Sequence, residues 1–176
     1  PKDGILLWWR RKDSGVDMND SLIWNARLIN DESPAETIKL AERSFGSLDN
    51  KNIALLGAAY RFNSEDTRNS PTFPLAKQLL AKGCDVTIQD PYVKPGDQNL
   101  KKFELDQYFT NHVETALENA DYVFICTGHR DYFEIPQKLK ELAPNAKGLV
   151  DASNMYKKRN MEQYDFEYTG IGKGTQ

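Results

Sequence analysis

The sequence lacks both common glycine-rich phosphate loops. Its 176 residues hold no G-x-G-x-x-G and no G-x-x-x-x-G-K-[ST] stretch, which removes the usual cradles for a dinucleotide or a P-loop triphosphate. Cysteine is scarce. Cys84 and Cys126 are the only two; they form no C-x-x-C and belong to no Cys/His set with metal spacing. A disulfide framework and a Cys/His metal site are therefore not expected, and both thiols read as small buried hydrophobes in a reducing compartment. No apolar run approaches the roughly 20 residues that span a bilayer. Positive charge is not in excess either: 23 Lys+Arg stand against 26 Asp+Glu, a net charge of −3. That balance argues against nucleic acid or an anionic membrane as the main partner. No secretory leader pattern is visible, because the chain opens Pro-Lys-Asp and turns charged at "WWRRKD". A cytoplasmic setting is expected, and the opening without Met reads as that of a fragment.

What is present is an ordinary globular composition, 39% hydrophobic and 28% charged, enough for one compact domain and an appendage. Residues 1–48 read as helical. "DGILLWWRRKDSG" ends at Ser14-Gly15, a stop signal. "DMNDSLIWNARLINDESPAETIKLAERSFG" opens on an Asn-Asp-Ser cap candidate. It places Leu22, Ile23, Ala26 and Ile29, then Ile38, Ala41 and Phe45, at helical spacing. Pro34 lies inside that pattern and predicts a kink or a break near Ser33.

From residue 49 the pattern alternates strand and helix. "KNIALLGAA", "CDVTIQD", "DYVFICTG" and "GLVDASN" read as buried strands, and "FEYTGIG" as a last strand or turn. "SPTFPLAKQLLAKG", "VETALENA" and "EIPQKLKELAP" read as helices, and residues 92–112 as an irregular polar stretch. Repeated βαβ units predict a Rossmann-like, doubly wound parallel sheet in residues 49–176, preceded by the helical segment. Ligands gather at the carboxyl ends of such strands. Those ends carry Gly57, Tyr60, Arg61, Asp66, Thr67 and Arg68; Asp90; Thr127, Gly128 and His129; and Asp151, Ser153 and Asn154.

Gly57 permits a sharp strand exit and close backbone approach. Tyr60 can stack on a base and Arg61 can meet phosphate oxygens; the plainer alternative packs Tyr60 over the sheet end and leaves Arg61 solvated. Arg68 either reaches a ligand or pairs with Asp66 or Glu65, and Ser70 with Pro71 can start the next helix. His129 has no carboxylate partner legible around it and reads as a surface or supporting histidine. A flavodoxin-like receiver fits the strand count but not the missing acidic cluster after the first strand.

"IALLGAAYRFNSEDTRNSP…LAKQLLAKGCDVTIQDPYV" resembles the nucleotide-binding C-terminal domain of the UDP-glucose/GDP-mannose dehydrogenase family. The family pattern there is about "lG-x-aFK…DtReSp" followed by "G-x-x-V-x-x-yDPyv". The resemblance continues in "ALENADYVFICTGHRDYFEI", "LVDASNMY" and "YTGIGKG". Upstream, "NARLINDESPAETIKLAE" is similar to the family's central helix, with Asn30 in its recurring "iN".

The resemblance implies a parent enzyme that oxidises the C6 alcohol of a nucleotide sugar to a carboxylate with two NAD molecules, through a cysteine-bound intermediate. It implies that Asp3 is the family's catalytic aspartate, in a stretch where the nucleophilic cysteine stands two positions before the residue matching Pro1. Gly57, Tyr60, Arg61 and Arg68 match the substrate-binding region, Tyr60-Arg61 standing for the family's Phe-Lys. The resemblance further implies a UDP-sugar ligand and a homodimer through residues 20–45. NAD would bind a domain outside this chain, and no metal is implied. Ser153 departs from the pattern, standing where the family commonly has the arginine of "D-[GA]-R-N". "TGHRDYF" is closer to the N-acetylhexosamine-uronate branch than to the "TEWDEF" of glucose-specific members. The rival expectation is a dimerising Rossmann-like module that binds no nucleotide.

Overall fold

A computed structural model of the chain describes residues 2–15 and 21–173. The helical segment forms α1 (Lys2–Asp13) and α2 (Leu22–Phe45). Ser14 and the left-handed Gly15 end α1 where the sequence signals a stop. Asn19 and Asp20 of the cap candidate lie outside the described residues; Ser21 occupies the N-cap of α2 without a side-chain cap bond.

Of the expected kink or break at Pro34, the break does not occur, and α2 runs 24 residues through it. Proline removes one amide donor, but Pro34 sits on the buried side of the helix with Thr37, Ile38 and Ala41. The Thr37 hydroxyl also donates to the Ser33 carbonyl at 2.8 Å. Packing outweighs the local preference.

Six strands follow: β1 (Asn52–Leu56), β2 (Asp85–Gln89), β3 (Phe109–Thr110), β4 (Tyr122–Ile125), β5 (Gly148–Asp151) and β6 (Glu167–Gly170). They form one sheet in the order β3-β2-β1-β4-β5-β6, and all five pairings are parallel. The connecting helices are α3 (Thr72–Ala81), α4 (Gln98–Lys102), α5 (Val113–Leu117), α6 (Ile135–Leu142) and α7 (Lys158–Met161). This is the doubly wound, Rossmann-like sheet expected from the βαβ rhythm. The polar stretch before residue 112 carries two elements not expected there, α4 and the two-residue edge strand β3.

The strands are continuous apolar runs because both faces are covered. Ile53 and Leu55 of β1 join Val86, Ile88, Phe124 and Val150 beneath α2 and α3. The alternate residues Ala54 and Leu56 join Val123, Ile125 and Leu149 with Leu117, Ile135, Leu139 and Met161 on the other side. Order reverses between β1 and β4, so the crevice at this switch point opens between their carboxyl ends.

Helix α2 belongs to two environments. Ile38 and Ala41 pack into the sheet's core, whereas Leu22 and Ile29 are 82% and 70% exposed. Trp24 stacks on Trp8 of α1 with ring centroids 4.6 Å apart, and Lys12 lies 5.0 Å over the same Trp8 ring. At the other end of α2, Phe45 stacks on Tyr122 at 5.2 Å with planes 6° apart. A Cβ added at Gly148 would lie 2.9 Å from that phenyl ring, so the glycine makes room for it. Replacing Phe45 by Ala is expected to lower unfolding stability by about 2 kcal/mol, the lower end for a partly buried aromatic, measured by urea denaturation.

Candidate functional site

Strand β1 leaves the sheet through Gly57 at φ +105°. A Cβ there would stand 2.5 Å from Thr127 Cβ and 2.6 Å from its amide nitrogen, so the exits of β1 and β4 approach more closely than any other residue allows. The Gly57 carbonyl accepts the Thr72 hydroxyl at 2.8 Å, which ties the start of α3 to the strand exit. Helix α3 begins at Thr72, one residue later than a Pro71 start would give, with Ser70 Oγ accepting the Thr72 amide at 3.3 Å.

The amides after Gly57 are not free for a ligand. Ala58 and Ala59 donate at 2.8 and 2.9 Å to Oδ2 of Asp90, at the end of β2. Oδ1 of the same carboxylate accepts the Tyr92 and Val93 amides at 2.8 and 3.1 Å. His129, from the loop after β4, places Nε2 3.0 Å from Oδ2, and both side chains are fully buried. Burial alone would raise the Asp90 carboxyl, but hydrogen bonds from His129 and from the Ala59 and Tyr92 amides outweigh it. They hold the group below the ordinary aspartate value. Of the two expectations for His129, a surface or a supporting histidine, the surface one does not hold: the ring is one half of a buried carboxylate–histidine pair. Its partner stands 39 positions upstream, visible only once β2 and β4 are known to flank β1.

A cleft of about 620 Å³ opens above this floor at the switch point. The β1 loop contributes Tyr60, Arg61 and Phe62, the β4 loop Thr127, Gly128 and Phe133, and the β5 loop Ser153 and Met155. Tyr60, Phe62 and Phe133 are 45%, 70% and 57% exposed, so their faces are open to a planar ligand. Arg61 is exposed and makes no side-chain hydrogen bond or ion pair among the described residues. Phe62, Phe133 and Met155 were not singled out in the sequence, where an exposed aromatic cannot be told from a core one. Cys126 borders the same cleft; burial pushes its thiol up to about 12, which leaves it protonated and inert.

The β5 loop is shaped by a second buried carboxylate. Asp151 accepts the Ser153, Met155 and Tyr156 amides and the Tyr168 hydroxyl at 2.8 to 3.2 Å. Ser153 lines the cleft with a short, uncharged side chain.

Two further residues singled out in the sequence lie elsewhere. Arg68 grips Asp66 through two hydrogen bonds of 2.9 and 2.7 Å and holds that carboxyl down to about 2. The pair lines a separate, polar cleft with Lys94 and Asp97. Arg68 still bears on the site indirectly, since the Asp66 carbonyl accepts the Tyr60 amide at 2.8 Å. Asp3 sits exposed in the first turn of α1 and lines neither of these clefts.

The β1 exit does not fit a dinucleotide cofactor. A pyrophosphate cradle needs free amides on a glycine-rich turn running directly into a helix. Here the Ala58 and Ala59 amides are taken by Asp90, and residues 57–71 separate β1 from α3. Among the described residues no group of three or more His, Cys, Asp or Glu could hold a metal ion. No helix among them is long and apolar enough to cross a membrane.

Fold and cleft define a class: a parallel α/β domain with its ligand crevice at the carboxyl ends of β1, β4 and β5, walled by side chains instead of a glycine loop. A profile of the UDP-glucose/GDP-mannose dehydrogenase family, UDP binding domain, matches residues 54–158. That is more than half of the chain, and the chain belongs to this family. A UDP-N-acetyl-D-mannosamine dehydrogenase of Pyrococcus horikoshii is 29% identical over 181 residues, covering 99% of this chain and 38% of its own length. A UDP-glucose 6-dehydrogenase of Rickettsia typhi is 30% identical over 136 residues, 76% of this chain and 31% of its own. Among solved structures, an NDP-N-acetyl-D-galactosaminuronic acid dehydrogenase from Methanosarcina mazei Go1 superposes with a TM-score of 0.74 at 29% identity. It covers 89% of this chain and 32% of that one. The chain therefore spans about a third of the length of these relatives.

Asp90 supplies a direct test of the site's floor. Its native pKa lies below the ordinary value near 3.8, so its contribution to stability is full above that value and fades as pH falls through the lower native one. Asp90→Asn keeps the shape but turns a donor toward amides that need an acceptor. The variant is expected to lose about 3 kcal/mol at neutral pH, with the gap to wild type closing below about pH 4, by denaturant titration across pH.

Proposed function

We propose that this chain is the nucleotide-sugar-binding part of an NAD-dependent nucleotide-sugar 6-dehydrogenase, with residues 49–176 gripping the UDP moiety and residues 1–48 forming the dimer contact. The observation that carries the reading is the switch-point cleft. It combines three exposed aromatic rings with one cation, Arg61, that makes no side-chain hydrogen bond or ion pair among the described residues. A diphosphate nucleotide offers a π face and a doubly charged tail, the two chemistries those side chains recognise.

In this assignment Tyr60 and Phe62 or Phe133 flank the base and Arg61 meets the phosphates. Gly57 sets the floor by letting β1 and β4 converge, and Arg68 supports the loop from behind through Asp66. Asp3 would serve the parent's active centre as the family's catalytic aspartate. NAD and the nucleophilic cysteine belong to parts of the parent outside this chain, so the chain alone is assigned no catalysis. Two free thiols, Cys84 and Cys126, agree with a reducing, cytoplasmic setting. The names of the relatives, which act on UDP-glucose and on UDP-N-acetyl-D-mannosamine, support UDP as the nucleotide.

One observation favours the rival, a module that dimerises without binding nucleotide: Ser153 leaves the β5 side of the cleft without a cation. Calorimetric titration with UDP separates the two. Measurable binding that Arg61→Ala weakens about tenfold, the loss of a charge-assisted contact, supports the clamp. No heat up to about millimolar UDP, a ceiling near −4 kcal/mol, favours the module.

The dimer contact rests on the exposed half of α2, where Leu22 and Ile29 face outward beside the Trp8–Trp24 stack. Sedimentation at high micromolar concentration should give twice the 20.1 kDa chain mass, and Ile29→Asp should return the monomer. A wild-type species at 20.1 kDa would sink the assignment.

A further inference from the structure

The buried Asp90–His129 pair lies outside the cleft lining, yet it touches the segment that makes the cleft's rim. The Asn63 amide, one residue beyond Phe62, donates to Nδ1 of His129 at 2.8 Å. A ring nitrogen that accepts an N–H carries no proton of its own. Nε2 faces a carboxylate oxygen that already accepts two amides, so Nε2 is the donor in that contact. The ring is therefore held in its Nε2–H tautomer, with one lone pair left and a backbone amide filling it. Asn63 is fixed a second time, because its Oδ1 accepts the Arg130 amide at 3.0 Å. Its backbone stands at φ +52°, a conformation that asparagine tolerates better than most residues.

The imidazole cannot swing to relax these contacts. Tyr92 and Tyr132 flank it with ring centroids 5.0 and 5.4 Å away. The Tyr92 hydroxyl is itself anchored on Asp131 Oδ2 at 2.8 Å. By contrast, Tyr60, Arg61 and Phe62 are all exposed and have no core packing to set their direction.

We propose that His129 is a positioning residue for the nucleotide site: through its Nδ1 it fixes the Asn63 amide, and so aims the Tyr60–Phe62 rim into the cleft before a ligand arrives. Asp90 acts one step further back by selecting the tautomer. The inference rests on the reading of this cleft as a UDP site. A rim already in its bound direction needs no ordering when nucleotide binds, and that ordering is a large share of what weakens association at mobile loops.

The test joins a spectroscopic readout to binding. Long-range 1H–15N spectra of the histidine rings at neutral pH should show His129 as the Nε2–H tautomer; an Nδ1–H ring overturns the proposal. UDP titrations should then show His129→Leu, which fills the space but neither donates nor accepts, about tenfold weaker than wild type. His129→Gln, whose amide offers one acceptor and one donor, should recover part of that loss. If wild type binds UDP and His129→Leu binds within about twofold of it, the positioning role is refuted while the cleft stands. If wild type shows the Nε2–H ring but binds no UDP, the cleft assignment fails and the positioning role with it. Should His129→Leu not fold, hydrogen exchange of the wild-type chain decides: the Asn63 amide, donated to Nδ1, is expected to be protected before UDP is added, and an Asn63 amide that exchanges as fast as an open chain without UDP overturns the proposal.

Discussion

The carboxyl edge of this sheet depends on one buried carboxylate. Asp90 enters the interior as an ion and is compensated by four backbone amides and an imidazole N–H, which together offset the desolvation of the charge. Those donors come from three different connections, after β1, β2 and β4. A group that must collect its partners from three loops also fixes those loops relative to one another. Asp151 repeats the device on the other flank with three amides and a tyrosine hydroxyl. In the strand order the two acids stand on β2 and β5, bracketing the β1–β4 crevice from outside. The crevice keeps its shape because each side is pinned by a buried acid that gathers backbone amides.

The same arrangement decides how a phosphate can be met. In a glycine-rich phosphate loop the first turn after the strand turns its amides outward. Here that turn gives Ala58 and Ala59 inward to Asp90. In the proposed UDP site, recognition of the anion then passes from main chain to side chain, with Arg61 as the group assigned to it. The absence of a glycine fingerprint and the presence of an exposed arginine at the cleft are two sides of one choice about where the amides point.

Much of the fold is legible in the sequence because covering both faces of the sheet leaves a continuous apolar run at each long strand, with glycine or proline at its ends. The two-residue β3 and the four-residue α7 are too short to carry a period. The continuity of α2 through Pro34 is hidden for another reason: proline's local penalty is outweighed by burial against the sheet, which no helical periodicity reports. The site divides the same way. Gly57, Tyr60 and Arg61 announce themselves at a strand exit, and the Arg68–Asp66 pairing is readable because its partners are two residues apart. The His129–Asp90 pair needs the strand order, since only β1 separates the two strands that carry it. Phe62 and Phe133 needed exposure, which sequence does not supply.

Helix α2 has a mechanical consequence. Its 24 residues extend about 36 Å at 1.5 Å per residue, clamped to the sheet at one end by Ile38, Ala41 and the Phe45–Tyr122 stack and, at the other, packed among the described residues on α1 through the Trp8–Trp24 stack. A rod held this way is a lever whose fulcrum sits under the sheet. A small angular shift imposed at the Leu22 end carries the whole domain, cleft included, through the same angle. Whatever grips the far end of α2 therefore chooses the direction in which the cleft looks.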